Sequence, residues 1–90
     1  MMNYLEIKST LLRMAELLLA GGHPDWAASL SSLTAQIDGD PTRTYATIVG
    51  MFGGMGSLND LVLYKGGVPL RQENQELDAL RSKLFSLTQT

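Results

Sequence analysis

The chain has 90 residues, enough for one domain with a thin core, because a fold of this size buries only somewhat more than about 60% of its unfolded surface. Seven basic residues against nine acidic ones give a net charge of −2, and Lys8, Arg13, Arg43, Lys65, Arg71, Arg81 and Lys83 are scattered rather than clustered, which argues against a nucleic-acid partner. The absence of cysteine excludes a disulfide framework and any thiolate metal site.

The opening residues lack the basic stretch of a signal peptide, and Glu6 and Glu16 interrupt the apolar run that follows. No segment reaches the ~18 uninterrupted apolar residues of a membrane span, so a cytoplasmic protein with no membrane partner is expected. Over residues 4 to 20, Tyr4, Ile7, Leu11, Met14 and Leu18 recur at spacings of three and four, which predicts a helix with one apolar stripe. Leu5, Leu12 and Leu19 add a second row, making the face wide enough for two neighbours. Gly21 and Gly22 can end that helix without a Cβ penalty.

Pro24 suits the first position of a second helix, with Asp25 in its positive first turn and Trp26, Leu30, Leu33 and Ile37 at helical spacing. A hairpin of helices is expected across the two-glycine joint. Asp40 and Pro41 repeat the device as cap and first position of a third helix, whose apolar face is Tyr45, Ile48, Val49 and Phe52. Gly53-Gly54-Met55-Gly56 then stops it.

Residues 57 to 70 allow two readings. Ser57 with Asp60 resembles a variant capping box opening a short helix at Leu58. Alternatively, Leu61 to Tyr64 and Val68 to Leu70 form a hairpin around Lys65-Gly66-Gly67, with Pro69 confined to an edge. A last helix carries Leu77, Leu80, Leu84 and Leu87, with Glu73, Glu76 and Asp78 early and Arg81 and Lys83 late, as the helix dipole favours. The expected core is Ile7, Leu11, Met14, Leu18, Trp26, Leu30, Leu33, Ile37, Ile48, Phe52, Leu77, Leu80 and Leu84.

Few residues suggest chemistry. His23 is the only histidine and has no evident dyad partner, so an imidazole that caps the next helix or faces solvent is the simpler expectation. Asp38-Gly39-Asp40 lacks the bidentate Glu of a calcium loop and reads as a turn, so no metal and no cofactor is expected. The glycines at 53, 54 and 56 could cradle an anion ahead of a helix, but the preceding strand and following Lys of phosphate loops are missing. Trp26, Tyr45, Phe52 and Phe85 fall on apolar stripes, while Met51 and Met55 flank the glycine turn as adaptable contact residues.

Three stretches carry a resemblance: Gly53-Gly54-Met55-Gly56-Ser57-Leu58-Asn59-Asp60-Leu61-Val62-Leu63, then Gly21-Gly22-His23-Pro24-Asp25-Trp26-Ala27, and Asn74, Leu77, Asp78, Leu80, Arg81 and Leu84. Together they resemble a family of small bacterial helical proteins of uncharacterised function. In size, helical make-up and lack of a catalytic set, such proteins are similar in type to the immunity proteins that neutralise antibacterial toxins. A net charge of only −2 departs from the strongly acidic inhibitors that mimic nucleic acid.

These readings converge on a mainly-α single domain, a compact bundle of three to five helices with a possible short hairpin near 57–70. The expected function is non-catalytic binding of a protein partner such as a cognate toxin, with Met55, Ser57, Asn59 and Asp60 as contacts. A low charged fraction, 18% against 44% hydrophobic, leaves apolar surface to cover. The alternative is therefore a structural or regulatory homo-oligomer, with the wide face of the first helix closing a homodimer.

Overall fold

A continuous apolar stripe on the first helix needs cover along its whole length, and that requirement organises the chain. The computed structural model describes residues 4–52 and 57–89. In it α1 (Tyr4–Ala20) is packed against α2 (Pro24–Gly39) and α4 (Arg71–Leu87), while α3 (Pro41–Gly50) packs on α2. Tyr4, at the start of the first stripe, is 44% exposed, while Ile7, Leu11, Met14 and Leu18 retain no exposed surface. Each such side chain stabilises the fold by roughly 1.5–3 kcal/mol. Leu30, Leu33 and Ile37 from α2, Ile48 from α3, and Leu77 and Leu84 from α4 complete the expected core.

The margins of that core differ from the sequence expectation. Trp26, Phe52 and Leu80 are only partly buried, packed against the core from its edge. Ala15, Leu17, Ala27, Tyr45, Leu58 and Leu63 are buried instead. The second row of α1 is not covered by the described residues: Leu5, Leu12 and Leu19 are exposed. α2 and α4 take up the two flanks of the first stripe, so the row beyond it faces outward.

The joints follow local chemistry. Gly22 adopts φ +94°, the left-handed conformation that a side chain disfavours. α2 and α3 both start at their prolines, and the Asp40 carboxylate accepts from the Arg43 amide at 3.1 Å as the α3 cap. The two buried threonines are satisfied within their own helices, Thr10 donating to the Glu6 carbonyl and Thr44 to the Asp40 carbonyl, both at 2.7 Å. α3 ends at Gly50, short of Phe52, because the Met51 and Phe52 amides tighten onto the carbonyls of Ile48 and Val49. The glycine stop at 53, 54 and 56 lies outside the described residues.

Each reading of residues 57 to 70 holds in part, in succession: the turn of helix is there, but the expected strands Leu61–Tyr64 and Val68–Leu70 shrink to two residues each, and Lys65 joins the first strand instead of the turn. A single 3₁₀ turn, Leu58–Asp60, comes first. An antiparallel hairpin follows, β1 (Tyr64–Lys65) with β2 (Val68–Pro69), in the register Tyr64 to Pro69 and Lys65 to Val68. Gly66 and Gly67 form its two-residue turn with φ +59° and +78°, the pair of positive values that a type I′ turn demands. Pro69 is tolerated because each strand of a two-stranded sheet is an edge. The capping box at Ser57 is not formed: Ser57 stands at the N-cap, but its side chain makes no capping bond. The main chain does the work instead, the Asp60 amide donating to the Ser57 carbonyl at 3.0 Å.

Candidate protein-interaction site

Irregular backbone needs partners for its amides and carbonyls, and in residues 57 to 64 those partners come from the end of α3, from α4 and from the joint between α1 and α2. The Leu58 amide donates to the Met51 carbonyl at 2.9 Å, and the Asn59 side-chain amide donates to the Phe52 carbonyl at 3.0 Å. Both bonds fasten the segment to the end of α3. From α4, the Arg81 guanidinium donates through Nη1 to the carbonyls of Leu58, Asn59 and Leu61, at 3.0, 3.2 and 3.1 Å. Its Nη2 approaches Asp78 at 3.3 Å. Arg81 keeps only 13% of its side chain exposed, so the guanidinium is a clamp and not a surface charge.

Next along the chain, Asn74 holds Leu63 by both polar atoms: Oδ1 accepts from the Leu63 amide at 2.7 Å, and Nδ2 donates to the Leu63 carbonyl at 3.1 Å. The Leu63 side chain is fully buried. Across the first joint, His23 Nε2 lies 2.7 Å from the Val62 carbonyl, and the Tyr64 amide donates to the Gly21 carbonyl at 3.1 Å. A carbonyl offers only lone pairs, so His23 Nε2 carries the proton and donates. His23 neither caps α2 by its side chain nor simply faces solvent. It ties two segments together.

This scaffold presents a shallow groove of about 360 Å³ between the 3₁₀ turn and α4. Phe52 and Phe85 form its apolar part, their rings edge to face with centroids 5.3 Å apart. Asn59, Asp78, Arg81 and Ser82 supply its polar rim. Phe85 is 43% exposed, an aromatic face partly open to solvent.

Of the sequence-proposed contacts, Asn59 and Asp60 are exposed on this edge. Ser57 is buried at 7% exposure, which removes it as a surface contact; Met55 lies outside the described residues. Among the described residues no three His, Cys, Asp or Glu side chains gather to hold a metal ion. Asp38 pairs with Lys8 and Asp40 caps α3, so the Asp-Gly-Asp joint is structural. No described helix is long and apolar enough to cross a membrane.

Sequence reasoning missed Arg81 as a clamp, because its partners are carbonyls some twenty positions away and its place late in α4 is already accounted for by the helix dipole. Asn74 gave no signal beyond its place in the resemblance.

Fold and site together define a mainly-α domain whose irregular segment is pinned by side chains and offered at the surface. Residues 19–71, more than half of the chain, match the family described as Domain of unknown function (DUF6966), and the chain belongs to that family. The matched part runs from the end of α1, through the 3₁₀ turn and hairpin, to the first residue of α4. No curated protein and no solved structure matches the chain.

Proposed function

We propose that this protein is a non-catalytic protein-binding module, most concretely an immunity-type protein that docks on a bacterial toxin and blocks it. The observation that supports this reading is the Arg81 clamp. Three backbone carbonyls held by one partly buried guanidinium keep the Asn59–Asp60 edge ordered before any partner arrives. Ordering ahead of binding lowers the entropy cost of association. The edge also borders the Phe52–Phe85 pair, and an aromatic anchor beside a polar rim is the arrangement that interface hot spots favour. A net charge of −2 favours recognition by shape and apolar contact over mimicry of nucleic acid.

The test is co-expression with the product of the adjacent gene. A complex that co-elutes, and cells that survive the toxin only when this chain is present, are the expected results. Asp60→Arg and Phe85→Ala should each weaken both while leaving the fold intact. Failure to co-elute together with failure to protect rules the reading out.

A further inference from the structure

A groove selects its occupant through the hydrogen-bonding groups that the fold itself leaves unused. Beside Phe52 and Phe85 the strong donors are already engaged. The Arg81 guanidinium serves the carbonyls of Leu58, Asn59 and Leu61 through Nη1 and Asp78 through Nη2. The Asn59 side-chain amide donates to the Phe52 carbonyl, which can only accept, and this fixes which way the amide is turned. Its Oδ1 is left as an acceptor that no described residue serves. Asp78 meets Arg81 through Oδ1, its Oδ2 has no donor among the described residues, and 78% of its side chain is exposed.

The charges point the same way. Asp60 stands exposed on the same edge, so two carboxylates flank the groove against one largely covered guanidinium. Lys83 is drawn to α1, where it pairs with Glu6 at 3.0 Å. Arg71 opens α4 seven residues before Asp78, about 10 Å away along the axis and a screening length in ordinary salt. The sequence from 53 to 56, Gly-Gly-Met-Gly, adds no charge.

From these groups we infer that the groove receives an arginine side chain of the protein partner. The guanidinium lies between the Asp78 carboxylate and Asn59 Oδ1. Its stem runs past Ser82 toward Phe85, which stands two turns from Asp78 on the same face of α4. The inference rests on the reading of this edge as a protein-binding surface and gives that partner a chemistry. An anion would face two carboxylates, with the nearby guanidinium already engaged. A wholly apolar side chain would cover both acceptors without satisfying them. Arginine supplies an apolar stem for the open Phe85 ring and a planar fork of donors that reaches two acceptors at once. The compact ammonium of lysine lacks that fork.

Titration of the isotope-labelled full chain with N-acetylarginine methylamide, followed by NMR, tests this. Saturable shifts should appear at the Asn59 side-chain amide and at Ser82 and Phe85, with a dissociation constant on the order of millimolar for so small a ligand. The citrulline analogue keeps the stem and loses the charge, and it should bind about tenfold more weakly. Asp78→Asn should weaken the arginine probe to a similar degree, its spectrum elsewhere showing that the fold is kept. Absent groove shifts, equal binding of citrulline, or indifference to Asp78→Asn each overturn the inference. Because the probe needs no partner, a null titration beside successful co-elution removes the arginine inference alone. Groove shifts that meet all three expectations, beside failed co-elution and failed protection, remove the toxin reading alone.

Discussion

Leu63 rests directly on the backbone of Gly21. A methyl group built at Gly21 would lie 2.5 Å from Leu63 Cδ2 and 2.7 Å from its Cβ, closer than real contacts allow. Gly21 has an ordinary φ, so space and not backbone conformation demands the glycine here. The Leu63 Cβ cannot swing away, and the Tyr64 amide is bonded to the Gly21 carbonyl, so relief requires moving the first joint against the 57–64 segment.

Gly21→Ala should therefore destabilise the protein by about 1–3 kcal/mol, the usual range for overpacking. Gly39 makes the control. A Cβ there meets nothing within 4 Å, and its φ is not positive. Gly39→Ala should be neutral or raise stability by up to about 1 kcal/mol through the lower entropy of the unfolded chain. Urea denaturation of the two variants checks both signs; equal losses would show that crowding by Leu63 is not the cause.

Arg81→Ala removes the donor for three carbonyls that have few alternatives. Bonds to charged donors are each worth more than neutral ones, so a loss of about 2–4 kcal/mol is expected. Arg81→Lys should recover less than half, because a compact ammonium does not reproduce the fan of guanidinium donors. The distinguishing readout is hydrogen exchange. The amides of Leu58, Asp60 and Leu63 should exchange faster, with the α1 amides little changed. Asp78→Ala, on an exposed i,i+3 pair, should cost only about 0.2–0.5 kcal/mol.

Tyr45 is an apolar gain with a polar cost. Its ring is stacked on Tyr4 with centroids 5.9 Å apart, yet its hydroxyl is buried with no hydrogen-bond partner among the described residues. Burial also pushes its phenol pKa up, with the nearby Tyr4 adding to the effect. Tyr45→Phe keeps the stacking and removes the unsatisfied group, so stability should rise by about 1–2 kcal/mol. For the wild type, the favoured neutral phenol means stability is fully present below pH 10.0 and falls as the pH rises through the elevated folded value. The phenylalanine variant should lose that alkaline component.

What the sequence made legible was the periodic part of the structure. Ile7, Leu11, Met14 and Leu18 announce a helix and its buried side together, because spacing and burial have the same cause. Pro24 and Pro41 mark helix starts through their fixed φ and missing amide. Leu58 and Leu63 are equally buried, but their segment has no period, and only the docking of Gly21 and α4 decides which way they face. Of the candidate edge, only the exposure of Asn59 and Asp60 was legible. Its support was not, since Arg81 and Asn74 act on distant main-chain atoms that have no residue signature.

The pair of Arg13 and Glu76 links α1 to α4 across the outside of the bundle, with Nε to Oε2 at 2.6 Å and Nη2 to Oε1 at 2.9 Å. The geometry is bidentate, but both side chains are close to half exposed, so its contribution is small and screened by salt. Its pH signature is nevertheless defined. Hydrogen bonding and charge from Arg13 hold the Glu76 carboxyl below its ordinary 4.5, outweighing the opposing effect of partial desolvation. A depressed folded value means the contribution is present above pH 4.5 and is lost as pH falls through the folded value. Glu76→Gln should therefore match the wild type more closely at pH 3 than at pH 7, and 1 M salt should narrow the difference at pH 7. Melting curves over that range decide it; a gap between the two proteins that stays constant with pH would show that the ion pair contributes nothing to docking α4.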